Sequence, residues 1–102
     1  MAITRPPLAG FSELVAMDTS QVPPRFFLGM THVALGNYDQ AVSVLEGVAG
    51  RKGEYSKEAR WYLGLVYLKE GNKDKASENF ELLAQLSGYY SERSEKILRL
   101  LR

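Results

Sequence analysis

Apolar residues recur every three or four positions along most of this chain, a spacing that places them on one side of an α-helix. Pro6 and Pro7 forbid a helix before them, and Gly36 and Gly71 interrupt the later apolar runs. The pattern predicts an irregular leader over residues 1–7. It predicts helices over six segments, at about residues 8–17, 23–35, 38–48, 56–70, 73–86 and 91–102.

The two central pairs of predicted helices repeat each other at a spacing of 35 residues. The matched landmarks pair Leu28 with Leu63, Gly29 with Gly64, Gly36 with Gly71, Asn37 with Asn72, Asp39 with Asp74, Ala41 with Ala76 and Leu45 with Phe80. One supersecondary unit is therefore written twice, and a repeat of this length is typical of helical arrays.

The turn inside each unit combines a residue that ends one helix with a residue that begins the next. Gly36 ends the first helix, and the side-chain oxygen of Asn37 is expected to accept a backbone N–H of the second. Asp39 then faces the positive end of that helix. Gly71 and Asn72 predict the same turn and the same cap in the second unit.

The period continues at both ends of the two complete units. Tyr55 recurs as Tyr90 and Leu63 as Leu98, so the last helix corresponds to the first helix of a third unit. Residues 8–17 lie about one period before the second helix of the first unit, which suggests the remnant of a preceding unit. The predicted divisions are a leader with a remnant helix over 1–21, units over 22–55 and 56–90, and a capping helix over 91–102.

This unit resembles the tetratricopeptide repeat, in which small residues let two antiparallel helices cross closely. The resemblance covers about residues 22–102 and implies an all-α solenoid of antiparallel helix-turn-helix repeats with about six helices. It depends on Leu28, Gly29, Gly36, Ala41, Leu45, Leu63, Gly64, Tyr67, Gly71, Ala76 and Phe80. Arg25 and Arg60 precede the large aromatic residue that the family usually has one position earlier. The arrangement looks like the C-terminal end of a longer bacterial protein of this family.

Composition excludes several other classes of protein. The 13 Lys and Arg against 12 Asp and Glu give no overall charge that would favour nucleic acid or an anionic membrane. With no cysteine, the chain has no disulfide, thiolate zinc site or cysteine nucleophile. No apolar run approaches the roughly 20 residues that span a bilayer. A soluble protein is therefore predicted, with the cytoplasm as the expected compartment.

The family resemblance implies a concave groove lined by the first helix of each unit. Carried over position by position, the predicted partner-binding residues are Phe26, Met30, Val33, Trp61, Leu65, Leu68, Lys69, Arg93, Lys96 and Leu100. Such a groove has an apolar floor and a basic rim, so it suits an amphipathic segment with an acidic side. Phe26 and Met30 occupy the positions where relatives that clamp a terminal carboxylate have polar residues, so that clamp is not expected.

The occupant of the groove stays open at this level. A partner protein or peptide is one candidate, and coverage by the chain itself, through residues 8–17 or a homodimer, is the other. A weaker, third hypothesis is contact with nucleic acid through Arg93, Lys96, Arg99 and Arg102, which recur three apart on the last helix.

Nothing in the sequence indicates catalysis, a cofactor or a metal site. His32 is the only histidine, and it takes the place that Tyr67 holds in the other unit, so core packing is the expected role. The glycines show no phosphate-loop spacing. We therefore expect a protein-interaction scaffold without enzymatic activity.

Overall fold

The computed structural model describes residues 23–51 and 55–101, and this part of the chain consists of five helices and the short turns between them. Its helices are α1 (Pro24–Leu35), α2 (Tyr38–Ala49), α3 (Ser56–Lys69), α4 (Lys73–Gln85) and α5 (Tyr89–Leu101). Each helix packs against the next along the chain. The all-α repeat architecture is confirmed. The sixth predicted helix, over residues 8–17, lies outside the described residues.

The turns at Gly36 and Gly71 have the same geometry. Both glycines adopt a left-handed backbone, with φ of 79° and 80°, which side chains disfavour. After each glycine an asparagine N–H donates to a carbonyl five residues back, Asn37 to His32 at 2.9 Å and Asn72 to Tyr67 at 2.8 Å. These bonds satisfy carbonyl groups at the helix end and reverse the chain within two residues.

The predicted side-chain cap forms in only one of the two turns. The Asn72 side chain accepts a hydrogen bond from the Lys75 N–H at 3.1 Å. Among the described residues, the Asn37 side chain makes no such bond, so that part of the prediction is wrong. The backbone angles at Asn37 (−84°, 72°) and Asn72 (−94°, 82°) are close. The difference therefore lies in the side-chain orientation.

Within each unit the two helices meet at a glycine. A β-carbon on Gly29 would lie 2.6 Å from the Leu45 side chain, and one on Gly64 would lie 2.6 Å from the Phe80 ring. Real β-carbons do not approach other atoms so closely, so a larger residue at either position would have to displace its neighbour. Ala41 and Ala76 are fully buried in the same two helix pairs. The expectation that small residues permit close helix crossing is thus met twice.

Polar contacts join the first unit to the second. The Tyr67 hydroxyl in α3 donates a 2.5 Å hydrogen bond to Oε2 of Glu46 in α2. Burial, followed by this hydrogen bond, raises the pKa of the Tyr67 phenol. The Arg60 guanidinium donates to Oδ1 of Asn79 at 3.0 Å and to the carbonyl of Ala49 at 3.3 Å, so one side chain connects three helices.

Equivalent residues of the two units differ in burial. Leu63 is 2% exposed and Leu28 is 46% exposed, although they occupy the same repeat position. α3 packs between α2 and α4, whereas in the described part of the chain the extensive packing of α1 is against α2 alone. A neighbouring helix, rather than the residue type, therefore decides which of these leucines belongs to the core.

Candidate partner-binding groove

A column of aromatic rings runs from the core of the second unit to the surface of α5. Trp61 contacts Phe80 edge-on, with ring centroids 5.4 Å apart, and stacks on Tyr90 at 5.2 Å. Tyr90 in turn meets Tyr89 at 5.0 Å, with the two rings nearly perpendicular. Aromatic pairs at these distances stabilise by about 0.5–1.5 kcal/mol beyond the area that they bury. The indole of Trp61 is therefore held in one position.

The Trp61–Tyr90 contact recurs one unit earlier. Phe26 and Tyr55, each 35 positions before those two residues, also pack together, with centroids 4.9 Å apart. The tyrosine that precedes each unit thus covers the aromatic residue of the unit before it. Tyr55 and Tyr90 therefore both contribute to packing between successive units.

A cavity of about 520 Å³ opens between α3 and α5 beside this column. We call it the Trp61 cavity. Its described lining consists of Trp61, Tyr89, Glu92, Arg93, Lys96 and Ile97. The residues from α5 are spaced three or four apart, so they lie on one face of that helix. The wall is aromatic and aliphatic on one side and charged on the other.

The charged side of the Trp61 cavity is positive on balance. Arg93 and Lys96 supply two cations, and Glu92 supplies one carboxylate. The Arg93 guanidinium lies 4.6 Å above the centre of the Tyr89 ring, a cation–π contact that orients it beside the cavity. A carboxylate that entered here would meet two donors on one helix face.

The structure brings together three of the residues predicted for the groove. Trp61, Arg93 and Lys96 share the Trp61 cavity. Leu65 and Leu68 are half-buried and pack against the core, and they do not belong to the described lining of this cavity. Lys69 lies exposed at the end of α3, and Leu100 is 83% exposed on α5.

The other three predicted groove residues lie in the core. Phe26, Met30 and Val33 are at most 2% exposed, so they offer a partner almost no surface in this structure. Phe26 illustrates the physical reason, because Tyr62 packs against its ring in addition to Tyr55, whereas the position equivalent to Tyr62 in the next unit holds the smaller Ile97. Repeat symmetry equates Phe26 with Trp61, but their surroundings differ.

Sequence reasoning missed part of the cavity wall. Tyr89, Glu92 and Ile97 line it but were absent from the predicted groove. Helical spacing could have identified two of them, because Glu92 lies one turn and Tyr89 two turns before the predicted residue Lys96, on the same face of the helix.

The remaining candidates show no convergent chemistry. Nδ1 of His32 is buried and has no hydrogen-bond partner within the described part of the chain. Across residues 23–51 and 55–101, no three His, Cys, Asp or Glu side chains are placed to hold a metal ion. Of the basic residues that recur three apart on the last helix, Arg93, Lys96 and Arg99 are exposed, and Arg102 lies outside the described residues.

Comparison with protein families identifies the type of repeat. The tetratricopeptide repeat model matches residues 23–55 and 58–90, which is more than half of the chain. The chain belongs to the tetratricopeptide repeat family. Comparison with curated proteins and with solved structures gave no match. Tetratricopeptide repeats are generally protein-interaction modules, and the signature glycines Gly29 and Gly64 have the close helix contacts that such repeats need.

A search of the described helices for a membrane span gave none, because none is both long enough and apolar enough.

Proposed function

We propose that this tetratricopeptide repeat protein is an interaction scaffold that binds an amphipathic segment of a partner protein at the Trp61 cavity. The observation that carries the proposal is the combination of an indole wall and two cations around one open volume of about 520 Å³. Ligand pockets in proteins begin at roughly 300 Å³, so the cavity has room for one or two side chains of a partner.

The chemistry of the wall defines the partner segment. An apolar side chain of the partner would pack between Trp61 and Ile97, and a neighbouring carboxylate would pair with Arg93 and Lys96. Tryptophan and arginine are the residue types that contribute most to binding at protein interfaces. Because Phe80 and Tyr90 already hold Trp61, binding would cost little of its rotamer freedom.

A scaffold role without catalysis agrees with the family. Proteins with tetratricopeptide repeats are typically non-enzymatic, and nothing in the described lining of the Trp61 cavity pairs a nucleophile with a base. We therefore propose recognition, and no reaction, as its activity.

A second copy of the chain is the alternative occupant. Leu100 favours it, since this side chain is 83% exposed on the same helix that forms the charged wall. Exposed leucines of this kind are covered in many dimers. Sedimentation equilibrium at micromolar concentration distinguishes a partner protein from a second copy of the chain, because a strict monomer would exclude the dimer.

Peptide selection tests the proposal directly. A displayed library of helical peptides would be selected on the chain, and the affinities of the selected peptides would be measured by calorimetry. We expect Lys96→Glu to weaken them about tenfold and Arg99→Glu, the same charge change on the same helix outside the cavity wall, to have little effect. Equal affinities for the two variants, or peptides that bind Trp61→Ala as tightly as the natural chain, would contradict the proposal.

A further inference from the structure

A second cavity, of about 230 Å³, lies where the end of α2, the start of α3 and the end of α4 meet. We call it the Leu82 cavity. Its wall contains three apolar residues, Ala49, Leu82 and Leu86, and three cations, Arg51, Lys57 and Arg60. The two cavities have no described lining residue in common. The Leu82 cavity is therefore separate from the Trp61 cavity.

The leucines of this cavity are not required by the repeat. Leu82 and Leu86 are 46% and 45% exposed, and the positions 35 residues earlier hold Gly47 and Arg51. The first unit thus folds with no large apolar residue at either place. Nearly half of each leucine side chain is exposed, so two neighbouring leucines leave apolar area uncovered at this surface. An apolar ligand that covers them would recover that burial.

Among the described residues of the cavity wall, no carboxylate offsets the positive charge around the leucines. Nζ of Lys57 donates to the Ser87 carbonyl at 3.1 Å, and Arg60 donates to the Asn79 amide and the Ala49 carbonyl. All these acceptors are uncharged. No Asp or Glu belongs to the part of the cavity wall that the structure describes.

Acidic residues lie farther along the same surface. An adjoining cavity of about 240 Å³ has Ala49, Gly50, Arg60 and Leu82 in common with this one and adds Glu46 and Glu78. The surface therefore changes from basic at Arg51 and Lys57 to mixed beyond Arg60. That gradient gives a bound segment a preferred direction.

We propose that the Leu82 cavity is a second docking site, which takes one large aliphatic side chain of a partner protein whose neighbouring residues are acidic. The volume is below the roughly 300 Å³ at which pockets for small molecules begin, and it fits a single side chain. Leu82, Leu86 and Ala49 receive the aliphatic group. Arg51 and Lys57 bind the carboxylates beside it.

The experiment uses the whole chain, labelled with ¹⁵N, and a capped peptide in which glutamates flank a central leucine on both sides. We expect the peptide to shift the backbone amide signals of Gly50, Leu82 and Leu86 in a saturable way. A matched peptide with lysines in place of the glutamates should leave those signals unchanged.

Matched variants identify the side chains responsible. Arg51→Glu, which alters an exposed cation, should weaken binding of the acidic peptide about tenfold, and Leu82→Ala should weaken it similarly. Arg99→Glu makes the same charge change at an exposed position outside the described walls of both cavities and should leave this affinity unchanged. Circular dichroism would verify that each variant keeps its helix content.

Three results would overturn the proposal. The first is a set of amide signal shifts confined to Trp61, Tyr89 and Lys96, which would place the peptide in the Trp61 cavity. The second is equal binding of the acidic and basic peptides. The third is a dimer that Leu82→Asp dissociates, which would mean that a second copy of the chain covers the leucines. Failure here would not affect the proposed role of the Trp61 cavity, because Lys96→Glu tests that site separately.

Discussion

Gly64 lies against the ring of Phe80 so closely that a β-carbon on the glycine would come within 2.6 Å of Cζ and 2.7 Å of Cε1. The ring is fully buried and rigid, so it cannot move aside as the end of a flexible side chain would. This contact sets the distance between α3 and α4.

Gly64→Ala should therefore destabilise the protein by about 1–3 kcal/mol, the range for overpacking in a close-packed core. Gly47→Ala is the matched control within a helix, because a β-carbon there would meet only the Arg25 guanidinium, at 3.5 Å. Replacing that glycine should stabilise by up to about 1 kcal/mol through helix propensity. Urea unfolding followed by circular dichroism measures both changes, and equal effects of the two variants would contradict this account.

Ser94 offers a route to higher stability. It is fully buried in α5, and its hydroxyl has no hydrogen-bond partner within the described part of the chain. The equivalent residue of the preceding unit is Ala59, also fully buried. We expect Ser94→Ala to stabilise by about 1 kcal/mol, because it removes an unsatisfied polar group without leaving a large space.

Ser91→Ala is the contrasting variant for that measurement. The Ser91 hydroxyl donates to the Ala84 carbonyl at 3.0 Å, so its removal should destabilise by about 1 kcal/mol. Thermal unfolding should place the two variants on opposite sides of the natural protein. A lower melting temperature for Ser94→Ala would show that its hydroxyl is satisfied in solution.

The two turn asparagines should respond differently to replacement. Asn72→Ala removes the hydrogen bond that the Asn72 side chain accepts from Lys75, and it should cost about 1 kcal/mol. Asn37→Ala removes no such bond in this structure and should cost less. Chemical denaturation of the two variants under identical conditions decides the matter, and equal losses would mean that both side chains cap in solution.

The buried phenol of Tyr67 should make stability depend on pH in alkaline solution. Its folded-state pKa is raised above the ordinary value of 10.0, first by burial and then by the hydrogen bond to Glu46. A raised pKa means that the folded state keeps the proton longer. The stabilisation that Tyr67 provides through its raised pKa is therefore complete below pH 10.0. As the pH rises above that value, the free energy of unfolding falls by up to about 1.4 kcal/mol per pH unit.

Tyr67→Phe should flatten this alkaline decline and should cost about 1 kcal/mol at neutral pH, where the hydrogen bond to Glu46 is intact. Tyr89→Phe is the control, since that ring is 67% exposed. Urea midpoints measured from neutral pH to above pH 10 give both quantities. An unchanged slope in Tyr67→Phe would assign the alkaline decline to other groups.

The sequence was sufficient to predict the repeat, the glycine turns and the close helix crossings, but not that only Asn72 of the two turn asparagines caps its helix. Glycines and small residues act through backbone conformation and local contact, so Gly36 and Gly64 have the predicted roles wherever the unit lies in the array. Burial of Phe26 could not be predicted in this way. It depends on Tyr55 and Tyr62, which reach it from outside its own helix pair.

Part of the Trp61 cavity could also be predicted from repeat positions. Trp61, Arg93 and Lys96 followed from repeat positions, and the structure places them together. The role of Arg60 did not follow. It stands where the family usually has an aromatic residue, and only the three-dimensional contacts show that its guanidinium reaches Asn79 and the end of α2.

Trp61 is also the only tryptophan in the chain, so its fluorescence reports on one known location. The indole lies between Phe80 and Tyr90 and forms part of the cavity wall. A ligand that displaces water there should shift the emission to shorter wavelength, and separation of α3 from α5 should shift it to longer wavelength. The molecule thus contains its own optical probe, which distinguishes an occupied cavity from a loosened repeat without any added label.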